Sequence, residues 1–309
     1  MRTVFLGTSE FAASLLESLA DEHAPGSARH RPALVITRPD RPAGRGRKLL
    51  SPAVADTARA LGIELAQPPS VNDEATIALL ARVAPQAVIV CAFGALIKEP
   101  LLSSYELLNV HPSLLARWRG AAPIERAIMA GDERTGVSIM RVSAGLDSGP
   151  VCRAASEQIH PDDSYGTLAP RLRQIASELL ADTLDARQRG ETLTFVEQDE
   201  RLATYAEKIT PPDRLLDPGR PAVELERTVR ALHPHIGARA ALPDGTLIGV
   251  HRARLYDPGP QHATGVYAED GHLLLGCTAG ALELLDVRPP GKRAMDAGSF
   301  LRGHGLPDA

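Results

Sequence analysis

Short apolar runs alternate with segments of helical periodicity through the first two thirds of this chain. The first runs are Thr3–Leu6 and Ala33–Thr37, and the segment between them repeats apolar residues at helical spacing from Phe11 to Leu19. Further strands are expected at 64–66, 87–92, 107–110, 136–142 and 151–159, and further helices at 52–61, 73–83 and 167–187. Such alternation predicts an α/β domain with a mostly parallel sheet, which binds ligands beyond the carboxyl ends of its strands.

The pattern changes after about residue 200. Residues 201–221, rich in Pro, Asp and Gly toward their end, are expected to form a linker. One helix over 222–232 and about five short strands separated by turns then predict a small OB-like β-barrel. The expected strands are 239–242, 247–255, 264–268, 273–277 and 282–287. We therefore expect domains at 1–200 and 222–309.

Charge and cysteine content exclude several classes of protein. The 309 residues contain 34 Lys+Arg against 38 Asp+Glu, so a generally basic nucleic-acid-binding coat is excluded. The C-terminal third is not basic either, with 12 Lys+Arg and 13 Asp+Glu in residues 205–309. Three separated cysteines without a CxxC motif predict neither a disulfide framework nor a zinc site, and we expect no metal. The absence of a long apolar run predicts a cytoplasmic protein with no membrane partner.

The turn after the first strand lacks a dinucleotide fingerprint. It reads Gly7-Thr8-Ser9-Glu10, so Ser9 stands where the second glycine of G-x-G-x-x-G would allow a pyrophosphate to approach. A nicotinamide cofactor is therefore disfavoured. The chain also has no P-loop, no G-x-S-x-G nucleophile turn and no HExxH motif.

Three polar residues follow predicted strands and form the candidate catalytic group. Alternation places Asn109 and His111 on one side of a strand end, where an amide can stabilise an oxyanion and an imidazole can move a proton. Asp147 lies between glycines after the strand 136–142, and it can orient His111 if the two strands are neighbours. The alternatives are a strand-end histidine satisfied by backbone and a plain Gly-Asp-Ser-Gly turn.

Basic residues are concentrated in the segment 38–48, which follows the second strand. It contains five basic residues and one acid, and Gly44 and Gly46 favour mobility. The basic residues are Arg38, Arg41, Arg45, Arg47 and Lys48. This pattern favours contact with a phosphate backbone, and a solvated basic loop is the alternative. The segment 113–128 is a further candidate for contact with a ligand, because it lies next to the candidate catalytic group. The alternative is an exposed loop that opens a helix at Pro123.

Several motifs together resemble the methionyl-tRNA formyltransferase family. They are VFLGTSEFA near the start, RPDRPAGRGRKL at 38–49, NVHPSLLARWRGAAPIERAI at 109–128, GVSIMRVSAGLDSGP at 136–150 and TYAEKI at 204–209. The resemblance implies a Rossmann-like formyltransferase domain and an OB-like second domain that helps to hold tRNA. We further expect a monomer. It implies transfer of a formyl group from 10-formyltetrahydrofolate, the co-substrate, to the α-amino group of methionine on initiator methionyl-tRNA.

The resemblance also implies roles for individual residues. It makes Asn109, His111 and Asp147 catalytic, assigns folate contacts to Ser113, Leu114, Leu115 and Ala116, and assigns tRNA contacts to Arg38, Arg41, Arg45, Arg47 and Lys48. Two positions depart from the family pattern: Ala116 replaces a proline, and Pro218 stands where tryptophan is common.

Two other functions are compatible with parts of the sequence. A sugar-nucleotide N-formyltransferase shares the Asn-His-Asp group and the folate site, although it does not require the basic segment 38–48. A non-catalytic tRNA-binding protein is the second alternative, and the intact Asn109, His111 and Asp147 argue against it.

Overall fold

The computed structural model describes residues 1–21, 30–43, 48–257, 259, 263–304 and 306. The chain forms two compact units, each built from three segments. The first unit comprises Met1–Pro123, Thr135–Glu157 and Pro170–Ala206, and the second comprises Ile124–Arg134, Gln158–Ala169 and Glu207–Ala309. None of the helices in the described part of the chain is long and apolar enough to cross a membrane.

The first two thirds of the chain contain ten strands and six helices among the described residues. The strands are β1 (Thr3–Gly7), β2 (Leu34–Ile36), β3 (Arg41–Ala43), β4 (Lys48–Leu50), β5 (Leu65–Ala66), β6 (Ala87–Cys91), β7 (Leu107–His111), β8 (Arg119–Gly120), β9 (Arg134–Arg141) and β10 (Val151–Gln158). The helices are α1 (Glu10–Ala20), α2 (Ala53–Ala60), α3 (Glu74–Val83), α4 (Leu101–Ser104), α5 (Pro123–Ala130) and α6 (Tyr165–Gln188).

A seven-stranded sheet forms the centre of the first unit. Its order is β10-β9-β7-β6-β1-β2-β5; the strands from β7 to β5 are parallel, and β9 is antiparallel to β7. Every residue of β1, β6 and β7 is buried, as is typical of the inner strands of a parallel sheet. The expected mostly parallel, Rossmann-like sheet is therefore confirmed.

Two helices of this unit, α1 and α3, begin at side-chain capping residues. Ser9 accepts a hydrogen bond from the N–H of Ala12 and starts α1, while Asp73 caps α3 in the same way. The chain adds β2 and β5 on one side of β1 and then returns to add β6 and β7 on the other. This arrangement opens a crevice at the carboxyl ends of β1 and β6, the usual ligand site of such sheets.

The C-terminal third contains the strands β11 (Tyr205–Ala206), β12 (Ala238–Ala241), β13 (Leu247–Tyr256), β14 (Gly265–Glu269), β15 (His272–Gly276), β16 (Ala281–Arg288) and β17 (Met295–Asp296), with the helices α7 (Ala222–Leu232) and α8 (Ala297–Gly303). The second unit has an antiparallel sheet in the order β12-β13-β16-β15-β14, with β17 beside β16. The edge strands β12 and β14 approach each other, so the sheet curls as expected for an OB-like domain.

The core of the second unit includes residues from its helices and from the expected linker. Leu225, Val229 and Leu232 of α7, together with Phe300 of α8, are buried against the sheet. Leu216, in the segment expected to be a linker, is also part of this core, and its N–H donates to the carbonyl of Arg239. The end of the expected linker therefore packs into the core of the second unit.

Candidate active site

Strand β7 ends with two polar side chains that are almost completely buried. Asn109 is 7% exposed and His111 is 4% exposed, among strand neighbours that are apolar. They occupy alternate positions, so both side chains point to the same face of the sheet. The structure therefore places these two predicted site residues together at the carboxyl end of a central strand.

The loop after β9 brings Asp147 to the same place. Strand β9 lies beside β7, with Ser138 opposite His111, and the chain then turns back through Gly145–Gly149. Asn109 Nδ2 donates to Asp147 Oδ1 at 3.2 Å, and His111 Nδ1 lies 3.6 Å from Asp147 Oδ2. The three side chains form one cluster, which the spacing of the sequence alone did not establish.

The hydrogen bond of His111 to Trp118 determines which ring nitrogen is available. His111 Nε2 lies 2.8 Å from the carbonyl oxygen of Trp118, which only accepts, so Nε2 carries a proton. In the neutral ring, Nδ1 then holds the lone pair and faces the carboxylate of Asp147. Nδ1 is therefore the ring nitrogen that can accept a proton, at a position that faces Asp147 Oδ2.

A main-chain donor completes the surroundings of Asp147. The N–H of Gly120 donates to Asp147 Oδ2 at 2.9 Å. Gly120 has φ +121°, and a Cβ at this position would lie 2.8 Å from the carbonyl oxygen of Ala206. The position therefore requires glycine. This contact of Gly120 with Asp147 was not predicted from the sequence.

Arg119 does not occupy an exposed loop, which was one alternative for its segment. It is 2% exposed, and its guanidinium forms a bidentate ion pair with Glu200. This hydrogen bonding raises the pKa of Arg119 despite the desolvation. The helix expected to open at Pro123 is confirmed as α5.

The predicted folate segment lies directly after β7. Ser113 is completely buried, and its Oγ donates to the carbonyl of Arg117 at 2.6 Å. Ser138 Oγ donates to the carbonyl of Ser113 at 2.8 Å, and the N–H of Leu115 donates to the same hydroxyl at 3.2 Å. Leu114 is half-buried and Ala116 is buried. Hydrogen bonds thus tie this segment to β9 although Ala116 replaces the usual proline.

The structure describes only part of the predicted tRNA-binding segment. Arg38 is half-buried, and its guanidinium lies close to Gly94 in the loop that follows β6. Arg41 is exposed on β3. This strand pairs with the antiparallel strand β4, which begins at Lys48. Arg45 and Arg47 lie outside the described residues, as does the side chain of Lys48.

Cys91 of β6 is a buried thiol. Burial raises its pKa to about 12, so it is protonated at neutral pH. Among the described residues, no three side chains of His, Cys, Asp or Glu are grouped so that they could hold a metal ion.

Comparison with known proteins relates both parts of the chain to one family. The sequence profile of the formyl transferase family matches residues 1–184, and the profile of its C-terminal domain matches residues 208–305. A methionyl-tRNA formyltransferase of Methylococcus capsulatus is 40% identical over 309 residues, which cover 99% of this chain and 98% of that protein.

Solved structures with the same fold are more distant in sequence. HypX from Aquifex aeolicus, in complex with tetrahydrofolic acid, matches with a TM-score of 0.65 and 17% identity; the match covers 100% of this chain and 48% of HypX. An N-formyltransferase from Helicobacter canadensis, in complex with folinic acid and dTDP-3-aminofucose, matches with a TM-score of 0.62 and 13% identity over 93% of this chain and 98% of that one. At these identities the structures support the fold, while the sequence relatives identify the family. The chain belongs to the formyl transferase family and, within it, to the methionyl-tRNA formyltransferases.

Proposed function

We propose that this enzyme transfers the formyl group of 10-formyltetrahydrofolate to the α-amino group of methionine on initiator methionyl-tRNA, for the initiation of translation. The observation that carries the proposal is the buried cluster in which Asp147 contacts both Asn109 and His111. The full-length similarity to a methionyl-tRNA formyltransferase supports this choice of substrates. We place this reaction in the cytoplasm, and we propose that the enzyme acts as a monomer.

Asn109 is assigned to the oxygen of the formyl group. The reaction begins when the amine nitrogen attacks the formyl carbon, and the carbonyl electron pair then moves onto oxygen. The Asn109 amide has two N–H donors, and the contact with Asp147 uses one of them. The second can donate to the oxygen as negative charge develops on it.

His111 and Asp147 are assigned to proton transfer. The attacking amine becomes positively charged as the new C–N bond forms, and it must lose a proton. Nδ1 of His111 accepts this proton, directly or through water, because Nε2 is already bound to the Trp118 carbonyl. Asp147 stabilises the resulting imidazolium across the 3.6 Å separation. The proton then passes to the departing folate nitrogen as the old C–N bond breaks.

The segment Ser113–Ala116 is assigned to the folate co-substrate. It follows His111 directly, and its hydrogen bonds to Ser138 hold it against β9 beside the catalytic cluster. Its Leu114 and Leu115 side chains remain half-buried and supply apolar surface for the flat ring of the folate. Residues 1–200 are thereby assigned to formyl transfer, and residues 222–309 to holding the tRNA.

The tRNA contacts are assigned to basic residues of both units. In the first unit these are Arg38, Arg41, Arg45, Arg47 and Lys48. In the second unit, Arg239 of β12 and Arg288 of β16 flank Gly249 of β13, which bears no side chain between them. Within the described part of the chain neither guanidinium forms an ion pair. Burial lowers the pKa of the nearby Arg214, and the positive charges of Arg239 and Arg288 lower it further. A local basic surface therefore exists in a unit that is not basic overall.

The test is an acceptor comparison with one preparation of enzyme and 10-formyltetrahydrofolate. We expect rapid formylation of initiator methionyl-tRNA and none of a dTDP-linked amino sugar. Formylation of the amino sugar alone would replace the proposed acceptor. Binding of tRNA without formylation, while folate binds normally, would support a non-catalytic role instead.

A further inference from the structure

The side chain of Gln198 holds the backbone of the loop that presents Asp147. Its Nε2 donates to the carbonyl oxygen of Asp147 at 2.8 Å and to that of Gly149 at 2.7 Å. Both N–H bonds of the amide are thus directed at one turn of the chain. Gln198 lies 51 and 49 residues away from these partners in sequence, so this support is tertiary.

Arg119 fixes the orientation of the Gln198 amide. Arg119 Nε donates to Gln198 Oε1 at 2.9 Å, and the rest of its guanidinium is paired with Glu200 at 2.9 and 2.8 Å. A guanidinium can only donate, so the amide oxygen must face Arg119 and the NH2 group must face the loop. Arg119 is 2% exposed, so its contact with Gln198 lies inside the protein.

The loop needs this external support because its conformation is not locally favoured. Asp147 has φ +45°, in the left-handed region that non-glycine residues rarely adopt. A Cβ on Gly149 would lie 1.9 Å from the carbonyl oxygen of Arg141, so the chain passes very close to β9. A small change in this turn would therefore move the carboxylate of Asp147 relative to His111 and Asn109.

The segment that contains Gln198 also supports the other side of the cluster. Thr204 Oγ1 accepts from the N–H of Trp118 at 2.9 Å, and the carbonyl of Thr204 accepts from the N–H of Arg119 at 2.9 Å. Trp118 supplies the carbonyl that receives His111 Nε2. Residues 198–204 therefore support both groups that flank the His111 ring, the loop of Asp147 and the carbonyl of Trp118.

We infer that Gln198 is a positioning residue for the formyl transfer, and that Arg119 and Glu200 act through it. The inference rests on the proposed function. Gln198 contacts main-chain oxygens rather than the Asp147 carboxylate, so its effect on the reaction is geometric. Its loss should slow the chemical step while leaving the binding of the folate co-substrate intact.

The first variant is Gln198→Met in the full chain, which keeps a side chain of similar length and removes the amide. The matched control is Gln174→Met, at an exposed position of α6. We expect kcat for methionyl-tRNA formylation to fall about 10- to 100-fold, with the KM for 10-formyltetrahydrofolate within about twofold. The control should keep the wild-type kcat.

The second variant, Glu200→Gln, protects the test against misfolding because Glu200 is exposed. Its control is Glu191→Gln, which breaks the comparable exposed ion pair with Arg189. We expect Glu200→Gln to lower kcat about twofold to fivefold, and Glu191→Gln to leave it unchanged.

The outcomes distinguish this inference from the proposed function. If wild-type enzyme formylates the tRNA and both network variants keep its kcat, the positioning role is wrong. If kcat and folate binding fall together, in step with the melting temperature, the network serves only the fold and the inference is also wrong. If wild-type enzyme formylates no tRNA, the proposed function itself fails.

Discussion

The main-chain N–H of Gly120 donates a hydrogen bond of 2.9 Å to Oδ2 of Asp147, the carboxylate oxygen that lies 3.6 Å from His111 Nδ1. The other oxygen accepts from Asn109. Both oxygens therefore accept hydrogen bonds from N–H donors. These bonds hold the Asp147 carboxylate beside the ring nitrogen to which we assign proton transfer.

Gly120→Ala tests this contact directly. The new Cβ would meet the Ala206 carbonyl at 2.8 Å, and φ +121° is unfavourable for alanine. We expect the free energy of unfolding to fall by about 1–3 kcal/mol and kcat to fall with it. Gly190→Ala is the control, because Gly190 also has positive φ but no atom within 4 Å of its Cβ position. Urea unfolding and steady-state formylation of both variants separate the effect of the steric clash from that of backbone strain. An equal loss of stability and kcat in the two variants would contradict a specific role of Gly120.

Asn109→Ala should remove the donor assigned to the developing oxyanion. We expect a decrease in kcat of about 10²- to 10³-fold, with little change in the dissociation constant of the folate. Rapid-quench measurement of formylmethionyl-tRNA, together with folate titration by fluorescence, gives both quantities. A variant that binds folate more weakly but keeps its kcat would assign Asn109 to binding instead.

The basic surface of the second unit predicts a salt-dependent effect on tRNA. The double variant Arg239→Gln/Arg288→Gln should weaken tRNA binding and reduce the slope of log K against log salt by about one per arginine. Arg220→Gln is the control, since Arg220 is paired with Glu224. Filter binding at several salt concentrations measures the slope. An unchanged slope in the double variant would remove these arginines from the interface.

Asp213 gives the second unit a pH-dependent contribution to stability. Burial alone would raise its pKa, but hydrogen bonds from Thr210 and Arg126 outweigh that effect and lower the pKa from 3.8 to about 2. A lowered pKa means that the carboxylate stabilises the folded state above pH 4, and that this contribution is lost as the pH falls toward 2. Asp213→Asn should therefore cost about 2 kcal/mol at pH 7 and about half of that at pH 3.

Urea unfolding of wild type and Asp213→Asn at the two pH values checks this prediction. Asp270→Asn, in an exposed turn, is the matched control. A stability difference that stays constant between pH 7 and pH 3 would show that the hydrogen bonds of Asp213 do not depend on its charge.

Much of the fold follows from local sequence patterns. The apolar run over Ala87–Cys91 forms β6, and the turn-separated short strands after residue 232 form the curled sheet. The short strands β8 and β11 were not predicted, because two residues carry no periodicity and their pairing depends on a partner far away in sequence. The short helix α8 was missed for a similar reason, since seven residues are too few for a clear helical pattern.

Only part of the candidate site could be predicted from the sequence. Alternation along β7 predicted that Asn109 and His111 share a face, and the structure confirms it. Contact with Asp147 depends on the pairing of β9 with β7, which spacing does not reveal. The roles of Gly120 and Gln198 are missed because one contributes a main-chain N–H and the other lies in an irregular segment.

The central claim is that His111 moves the proton in the transfer of the formyl group from folate to methionyl-tRNA. Its most direct test is the single-turnover rate of His111→Ala at saturating 10-formyltetrahydrofolate and initiator methionyl-tRNA, with binding of both substrates measured separately. The account predicts a rate at least about 10²-fold below that of wild type, with both substrates still bound. A single-turnover rate within twofold of wild type would contradict it.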